Sequence, residues 1–564
     1  MARWARCARW LAAALTGALV AMAPAQAQTV PPAAAAAAAP TGPLVSARWL
    51  KDNLARLDPV LIDASGAQAY GAGHIPGAIN VDIYATATQR HSRAGMEKML
   101  QAWGVSPGRK VVLYDPGGTY LATRVFFDLV HHGAPVADLM LLDGGMAQWR
   151  AAGGEVSKAP AAARAAGTLR LTQTVDEVRI RLPEFINASG DPARHALVEA
   201  LDPEYYYGGA KFFDRAGHVP NAILWPSAEL FNADKTFKSA DEIRRMARHL
   251  GIRPEQQVAA YCGGGVAASG PFFALKYLAG YPNVKLYVES QLEWLRDERG
   301  LPVWSWAAPG LMRSPAWLAG WNSENMRAYG VSGLSVIDVR PAAAYALGHV
   351  PFALGVPAET LRRHLGRPEA LQPLLSAAGV NAMHEAVVVG ERGLDANTAL
   401  ALLALEQAGQ RKVSLLSVSV DEWGLGGQPL VKEPTAVGAP KAPQDLLTIP
   451  VLPWRGAARE GVLLRDAAAQ GASGAPGGYP RVFVASGPAT RAPAGTVVQL
   501  PAADLLDAAG APRPAHEVWT RLAKAGVPRF AEIVTFADDV GQAAINYVLL
   551  RKMGFADVKV WLPQ

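Results

Sequence analysis

Apolar runs of four or five residues alternate with segments whose apolar residues recur at helical spacing, and the whole alternation repeats along the chain. The runs at 111–114, 258–261 and 386–389 read as buried strands, and a fainter one lies at 533–536. Each run stops at one position, occupied in turn by Asp115, Cys262, Gly390 and Ala537. A short loop with glycine nearby follows, then an apolar helix; Gly133, Gly280, Gly409 and Gly554 fit the C-caps of those helices. A further strand then begins, at 139–142, 284–288, 413–416 and 558–561, and the first three copies run on to Trp149, Trp294 and Trp423. Upstream in these three copies stands Gly-His-(Ile/Val)-Pro, at 73–76, 217–220 and 348–351. The fourth copy has Arg491 where the histidine would fall and keeps only Pro493, so it is degenerate.

Short apolar strands alternating with helices predict an α/β fold in repeated domains, each a parallel β-sheet covered by helices on both faces. The repeat places these domains at 44–160, 170–308, 320–435 and 450–564. The length of 564 residues agrees, since it corresponds to about four domains of ordinary size. In such sheets ligands bind beyond the carboxyl ends of the strands. That is where Asp115, Cys262, Gly390 and Ala537 fall, and only Cys262 is chemically reactive.

The N-terminus sharpens the meaning of that cysteine. Arg3, Arg6 and Arg9 precede an apolar run from Leu11 to Met22, followed by the small-x-small triplet Ala25-Gln26-Ala27. This layout predicts a secretory signal peptide over 1–27, a Pro/Ala linker over 28–43, and a periplasmic protein. The chain has two cysteines, Cys7 and Cys262, and cleavage would remove the first. The mature chain then allows no intramolecular disulfide and no multi-cysteine metal site. Losing three arginines also lowers the formal charge from +6 to +3, and no dense basic run remains, so no nucleic-acid partner is expected. No later segment is long and apolar enough to span a membrane.

The Gly-His-x-Pro turns, the strand–Cys–loop–helix at Cys262 and the segment Leu142-Asp143-Gly144-Gly145 running to Trp149 together resemble the rhodanese-like sulfurtransferase superfamily. The resemblance covers nearly all of the chain after the linker. It implies a cysteine-free first copy paired with a catalytic second copy, with Asp115 in the silent cysteine position and the family's catalytic cysteine carried onto Cys262. The expected reaction moves a sulfane sulfur from 3-mercaptopyruvate or thiosulfate to a thiol or cyanide acceptor through a persulfide on Cys262. A protein acceptor is a further possible partner. No cofactor or metal is implied.

The loop Cys262-Gly263-Gly264-Gly265-Val266-Ala267-Ala268 suits an anion cradle, because glycines let backbone N–H groups close on the sulfur and lower its pKa. Gly263 to Ala268 are therefore expected to bind substrate. The positive end of the next helix is expected to help. Relatives that favour thiosulfate carry a cation just after the cysteine, where this chain has Gly263. Mercaptopyruvate-type relatives resemble Cys-Gly-(Ser/Thr)-Gly-Val-Thr, from which Gly264 and Ala267 depart. Arg215, two residues before Gly217-His218, is a candidate for a substrate carboxylate, with an ion pair as the alternative. His218 is expected to pin its turn, Tyr205 to Tyr207 to pack, and Glu289-Ser290-Gln291 to replace the first copy's Asp-Gly-Gly. Two alternatives to the enzyme stand: a non-enzymatic binding scaffold, and a persulfide carrier dependent on another protein's donor.

Overall fold

The computed structural model describes residues 40, 42–86, 91–439, 442, 445–465 and 478–562. The predicted signal segment and nearly all of the linker lie outside these residues. Pro40 onward forms one compact unit. Among the described residues no helix is long and apolar enough to cross a membrane.

Four five-stranded sheets follow one another, all with parallel pairing. The first comprises β1 (Leu44–Val45), β2 (Val60–Asp63), β3 (Ile79–Asn80), β4 (Val111–Tyr114) and β5 (Leu139–Leu142), in spatial order β1-β5-β4-β2-β3. The second comprises β6 (Arg179–Ile180), β7 (His195–Glu199), β8 (Ala222–Leu224), β9 (Gln257–Tyr261) and β10 (Val284–Tyr287), in the corresponding order. The third and fourth sheets repeat it, with central strands Glu385–Val389 and Glu532–Phe536. The degenerate fourth copy therefore keeps the sheet although it has lost the histidine turn. Central strands such as β4 are buried at every position, as strands covered on both faces must be.

The helix after each special position explains how the sheets pair. These are α1 (Leu121–His131), α2 (Ser269–Phe273), α3 (Ala396–Ala408) and α4 (Val540–Lys552). Gly133, Gly409 and Gly554 adopt positive φ just past their helices, and Gly280 does so after the π-helical turn Ala274–Leu278 that extends α2, as the end signals predicted. The helices are apolar around most of their circumference because one face meets their own sheet and the other a second helix. α1 packs on α2, with Phe126 edge-on to Phe273 and Phe127 edge-on to Phe272, each at 5.1 Å between ring centroids. α3 packs on α4, where Tyr547 and Arg551 both bond the buried carboxylate of Glu406. The first two sheets thus form one pair and the last two another. The fourth copy also leans on the second: Tyr207 donates to the Met553 carbonyl at 2.7 Å, and Arg529 pairs with Glu229 at 2.6 Å.

The Gly-His-x-Pro turns share one construction. His74, His218 and His349 stack on Tyr70, Tyr206 and Tyr345 at 3.8, 3.5 and 3.8 Å between centroids. Each histidine's Nδ1–H donates to the carbonyl of that same tyrosine. Each tyrosine hydroxyl in turn donates to the carbonyl of Ala78, Ala222 or Ala353 within its turn. His218 therefore pins its turn, and burial drives its pKa down to about 3, which keeps the ring neutral.

Candidate active site

Cys262 is the first residue beyond β9, 2% exposed, at the carboxyl end of the second sheet. Its backbone is fixed from below. The Cys262 N–H donates to the Ser290 hydroxyl at 3.1 Å, the Gln291 N–H donates to the Cys262 carbonyl at 3.0 Å, and the Leu292 N–H to the Gly263 carbonyl at 2.9 Å. The loop then folds back over the sulfur. The Gly265 N–H donates to Sγ at 3.2 Å, and the N–H groups of Ala268 and Gly264 also act on it. Gly265 has φ +77°, and a Cβ there would stand 2.2 Å from the Val288 carbonyl oxygen, so this turn requires glycine. Val266 and Ala267 carry the chain over to Ala268 and α2, their carbonyls taken up by the hydroxyls of Ser269 and Ser227.

The cradle expected from the loop is present, but the resting thiol is not lowered. Burial pushes the Cys262 pKa up. The Ala268 N–H opposes that, Glu199 adds to it, and the N–H groups of Gly264 and Gly265 oppose it again. The helix contribution also differs from expectation. α2 is only five residues long and continues into a π-helical turn, Ala274–Leu278, so the sulfur rests on loop N–H groups.

Glu199 ends β7 beside Cys262's strand and is fully buried. It accepts from the Gln291 side chain at 3.0 Å and the Leu201 N–H at 3.3 Å, and burial lifts its pKa to about 8. Gln291 also donates to the Gly217 carbonyl at 3.1 Å, tying the histidine turn to the cysteine loop.

The silent copy shows what the cradle holds. Asp115 occupies the equivalent place beyond β4. Its carboxylate accepts the Gly117 N–H at 2.8 Å, the Thr119 hydroxyl at 2.7 Å and the Ala122 N–H at 3.1 Å. The loop of the first copy is thus closed on an internal anion. The Asp-Gly-Gly comparison shifts by one residue. Gly145 (φ +52°) and Ser290 (φ +54°) occupy equivalent places, and the next residues, Met146 and Gln291, donate to the Asp115 and Cys262 carbonyls. Val288-Glu289-Ser290, not Glu289-Ser290-Gln291, therefore replaces Asp143-Gly144-Gly145.

Arg215 is spent on backbone. Its guanidinium donates to the carbonyls of Leu301 at 2.6 Å and Leu295 at 3.2 Å, and no hydrogen bond among the described residues joins it to the Cys262 loop. Tyr206 and Tyr207 pack in the interior, as expected. Tyr205 instead stands edge-on to Phe212 at 5.8 Å, and the Phe212 ring covers Gly263, where a Cβ would come within 2.3 Å of it.

Residues of the first copy complete the surroundings. Arg124 of α1 donates from Nη1 to the Gly265 carbonyl at 2.8 Å, and the Thr123 hydroxyl lies 2.8 Å from that of Ser269. Tyr120 and Tyr84 lie within electrostatic reach of Cys262, their phenols raised first by desolvation and then by neighbouring negative groups. Nothing in the loop's own sequence pointed to these residues. The available signal was a lone arginine with Asp128 four residues on, inside an otherwise apolar helix.

Known proteins fall in line with this architecture. The rhodanese-like domain family matches residues 46–152, 183–297 and 318–425, more than half of the chain. The chain belongs to that family. Its rhodanese-like repeats align with a Saccharopolyspora erythraea protein named "Putative thiosulfate sulfurtransferase", 31% identical over 266 residues (44% of this chain, 92% of the relative). A Pseudomonas aeruginosa protein named "Probable 3-mercaptopyruvate sulfurtransferase" is 30% identical over 285 residues (45% of this chain, 96% of the relative). The sulfur carrier protein TtuD of Thermus thermophilus is 30% identical over 273 residues (44% of this chain, 93% of the relative).

Proposed function

We propose that this chain is an exported, periplasmic sulfurtransferase built of four rhodanese-like modules (44–160, 170–308, 320–435 and 450–564), with Cys262 as its persulfide-carrying nucleophile. The observation that carries the reading is the reactive side chain of Cys262, under converging N–H groups, at the place where the first copy seats the Asp115 carboxylate. Relatives named for thiosulfate and 3-mercaptopyruvate sulfur transfer support the reaction class.

The Cys262 thiolate attacks the donor's transferable sulfur, the sulfane sulfur of thiosulfate or the thiol sulfur of 3-mercaptopyruvate, and forms an S–S bond. With thiosulfate, the donor S–S bond breaks and its electron pair leaves on sulfite. With 3-mercaptopyruvate, the C–S bond breaks, the pair passes to carbon, and a proton completes pyruvate. A thiol or cyanide then takes the outer sulfur and returns the thiolate. The loop N–H groups hold the sulfur anion in both half-reactions, and the raised thiol of the resting state gives way to the more acidic persulfide once sulfur is loaded. Residues 1–27 act as the export signal and 28–43 as a tether. N-terminal sequencing of the protein recovered from periplasm tests that part, with uncleaved protein counting against it.

Incubation with each donor, followed by intact-mass spectrometry, should add one sulfur to the wild type and none to Cys262→Ser. Equal sulfur transfer by the two proteins would remove the proposal. A second reading, a persulfide carrier loaded by another protein, is favoured by the 2% exposure of Cys262 and by the relative named a sulfur carrier. It predicts rapid exchange of a protein-delivered persulfide with slow turnover of both small donors.

A further inference from the structure

The Cys262 loop contains no cation, and the structure shows why none sits directly after the cysteine: the Phe212 ring fills the space a side chain at Gly263 would need. Arg124 comes to the same loop from the other copy. It is 2% exposed. Its Nε bonds the Asp128 carboxylate at 3.2 Å, and its Nη1 bonds the Gly265 carbonyl at 2.8 Å, on the residue whose own N–H reaches Sγ. Nη2 is buried and has no hydrogen-bond partner among the described residues. A guanidinium N–H placed so is costly unless something accepts from it. One peptide unit separates this guanidinium from the thiol: Gly265 takes Arg124 on its carbonyl and offers its N–H to Sγ. An arginine that served only to join the two copies would be satisfied by Asp128 and the Gly265 carbonyl. The remaining donor suits a ligand oxygen or sulfur anion.

We infer that Arg124 of the cysteine-free first copy is the specificity-determining cation of the Cys262 site, selecting anionic sulfur donors. The inference rests on the sulfurtransferase reading for its choice of donor but not for the anion preference itself. The silent copy is then part of the site, lending across the α1–α2 contact the charge that the loop lacks.

The test uses the full mature chain. Alkylation rates of Cys262 with anionic iodoacetate and neutral iodoacetamide give a ratio that a purely structural role would leave unmoved. Arg124→Gln should lower that ratio, and kcat/KM for thiosulfate, by about tenfold, the loss of one charge-assisted hydrogen bond. Arg124→Lys should keep the ratio within about threefold of wild type. Adding Gly264→Lys to Arg124→Gln should recover the preference, because a Cβ at Gly264 meets nothing within 4 Å. This rescue separates loss of charge from loss of fold. An unchanged ratio in Arg124→Gln, equal losses in the Gln and Lys variants, or a Cys262 that neither reagent reaches would each overturn the inference. Failure of the wild type to accept sulfur from either donor, with the alkylation preference intact, would remove the proposed function and leave Arg124 as an anion receptor.

Discussion

Glu199→Gln isolates one buried charge beside the cysteine. In the folded protein its carboxyl titrates near 8, against an ordinary value of 4.5. Each pH unit of such a difference is worth about 1.4 kcal/mol, so Glu199 weakens its surroundings by an amount on the order of 5 kcal/mol across that interval. The folded state binds the proton more tightly than the unfolded state. The Glu199 contribution to stability is therefore greatest below about pH 4.5, falls as pH rises, and levels off above about pH 8. His218, held near 3 by burial, acts in the opposite sense by losing stability as pH falls below about 6.5, but it is common to both proteins and cancels in their difference. Because the four sheets need not unfold together, hydrogen exchange of peptides covering β7 and β9 is the suitable assay, at pH 5, 6.5 and 8 and corrected for intrinsic rates. Because the His218 effect is shared, wild-type protection relative to Glu199→Gln should fall progressively from pH 5 to pH 8. Removing the charge should also let the Cys262 thiol ionise at lower pH, since Glu199 raises it. Identical pH dependence of β7 and β9 protection in the two proteins would refute the reasoning.

The other tests probe packing. Gly263→Ala should cost about 1–3 kcal/mol of local stability by driving its Cβ into Phe212, and Phe212→Ala should recover most of it in the double variant, read by hydrogen exchange over the loop. Gly265→Ala meets the Val288 carbonyl at positive φ and should abolish donor-dependent mass addition while the third and fourth sheets keep their protection. Glu406→Leu strands Arg551 and Tyr547 at the α3–α4 contact and should cost about 3 kcal/mol, seen as faster exchange in both helices at once.

Much of the fold was readable because strand and helix signals are local. An apolar run that ends at Cys262, a glycine that ends the following helix at Gly280, and the same pair at Asp115 and Gly133 describe one folding unit with no need to see its neighbours. The fourth copy followed from the same spacing although its turn had lost histidine. The surroundings of Cys262 were less legible, since they depend on how units dock. Arg124 lies far back in the chain and meets Gly265 only because α1 packs on α2. Phe212 reaches Gly263 from an irregular loop without periodicity. The Arg215 expectation used its proximity to Gly217-His218, whereas two backbone carbonyls claim its guanidinium. The thiol's direction of shift was missed for a related reason: glycines in a loop announce N–H donors but not how deeply the sulfur is buried.

The contact between the second and fourth copies has a consequence for the thiol. Tyr207, Glu229 and the Trp306 ring hold the second copy to Met553, Arg529 and Lys552. The carrier of Cys262 is therefore braced on the side of the fourth copy, while the first copy grips it through the Arg124 and Thr123 contacts and the α1–α2 packing. The module that carries Cys262 is thus clamped by two neighbours, sharing one continuous buried core with the first copy, so its enclosed thiol is held from outside the module as well as from within.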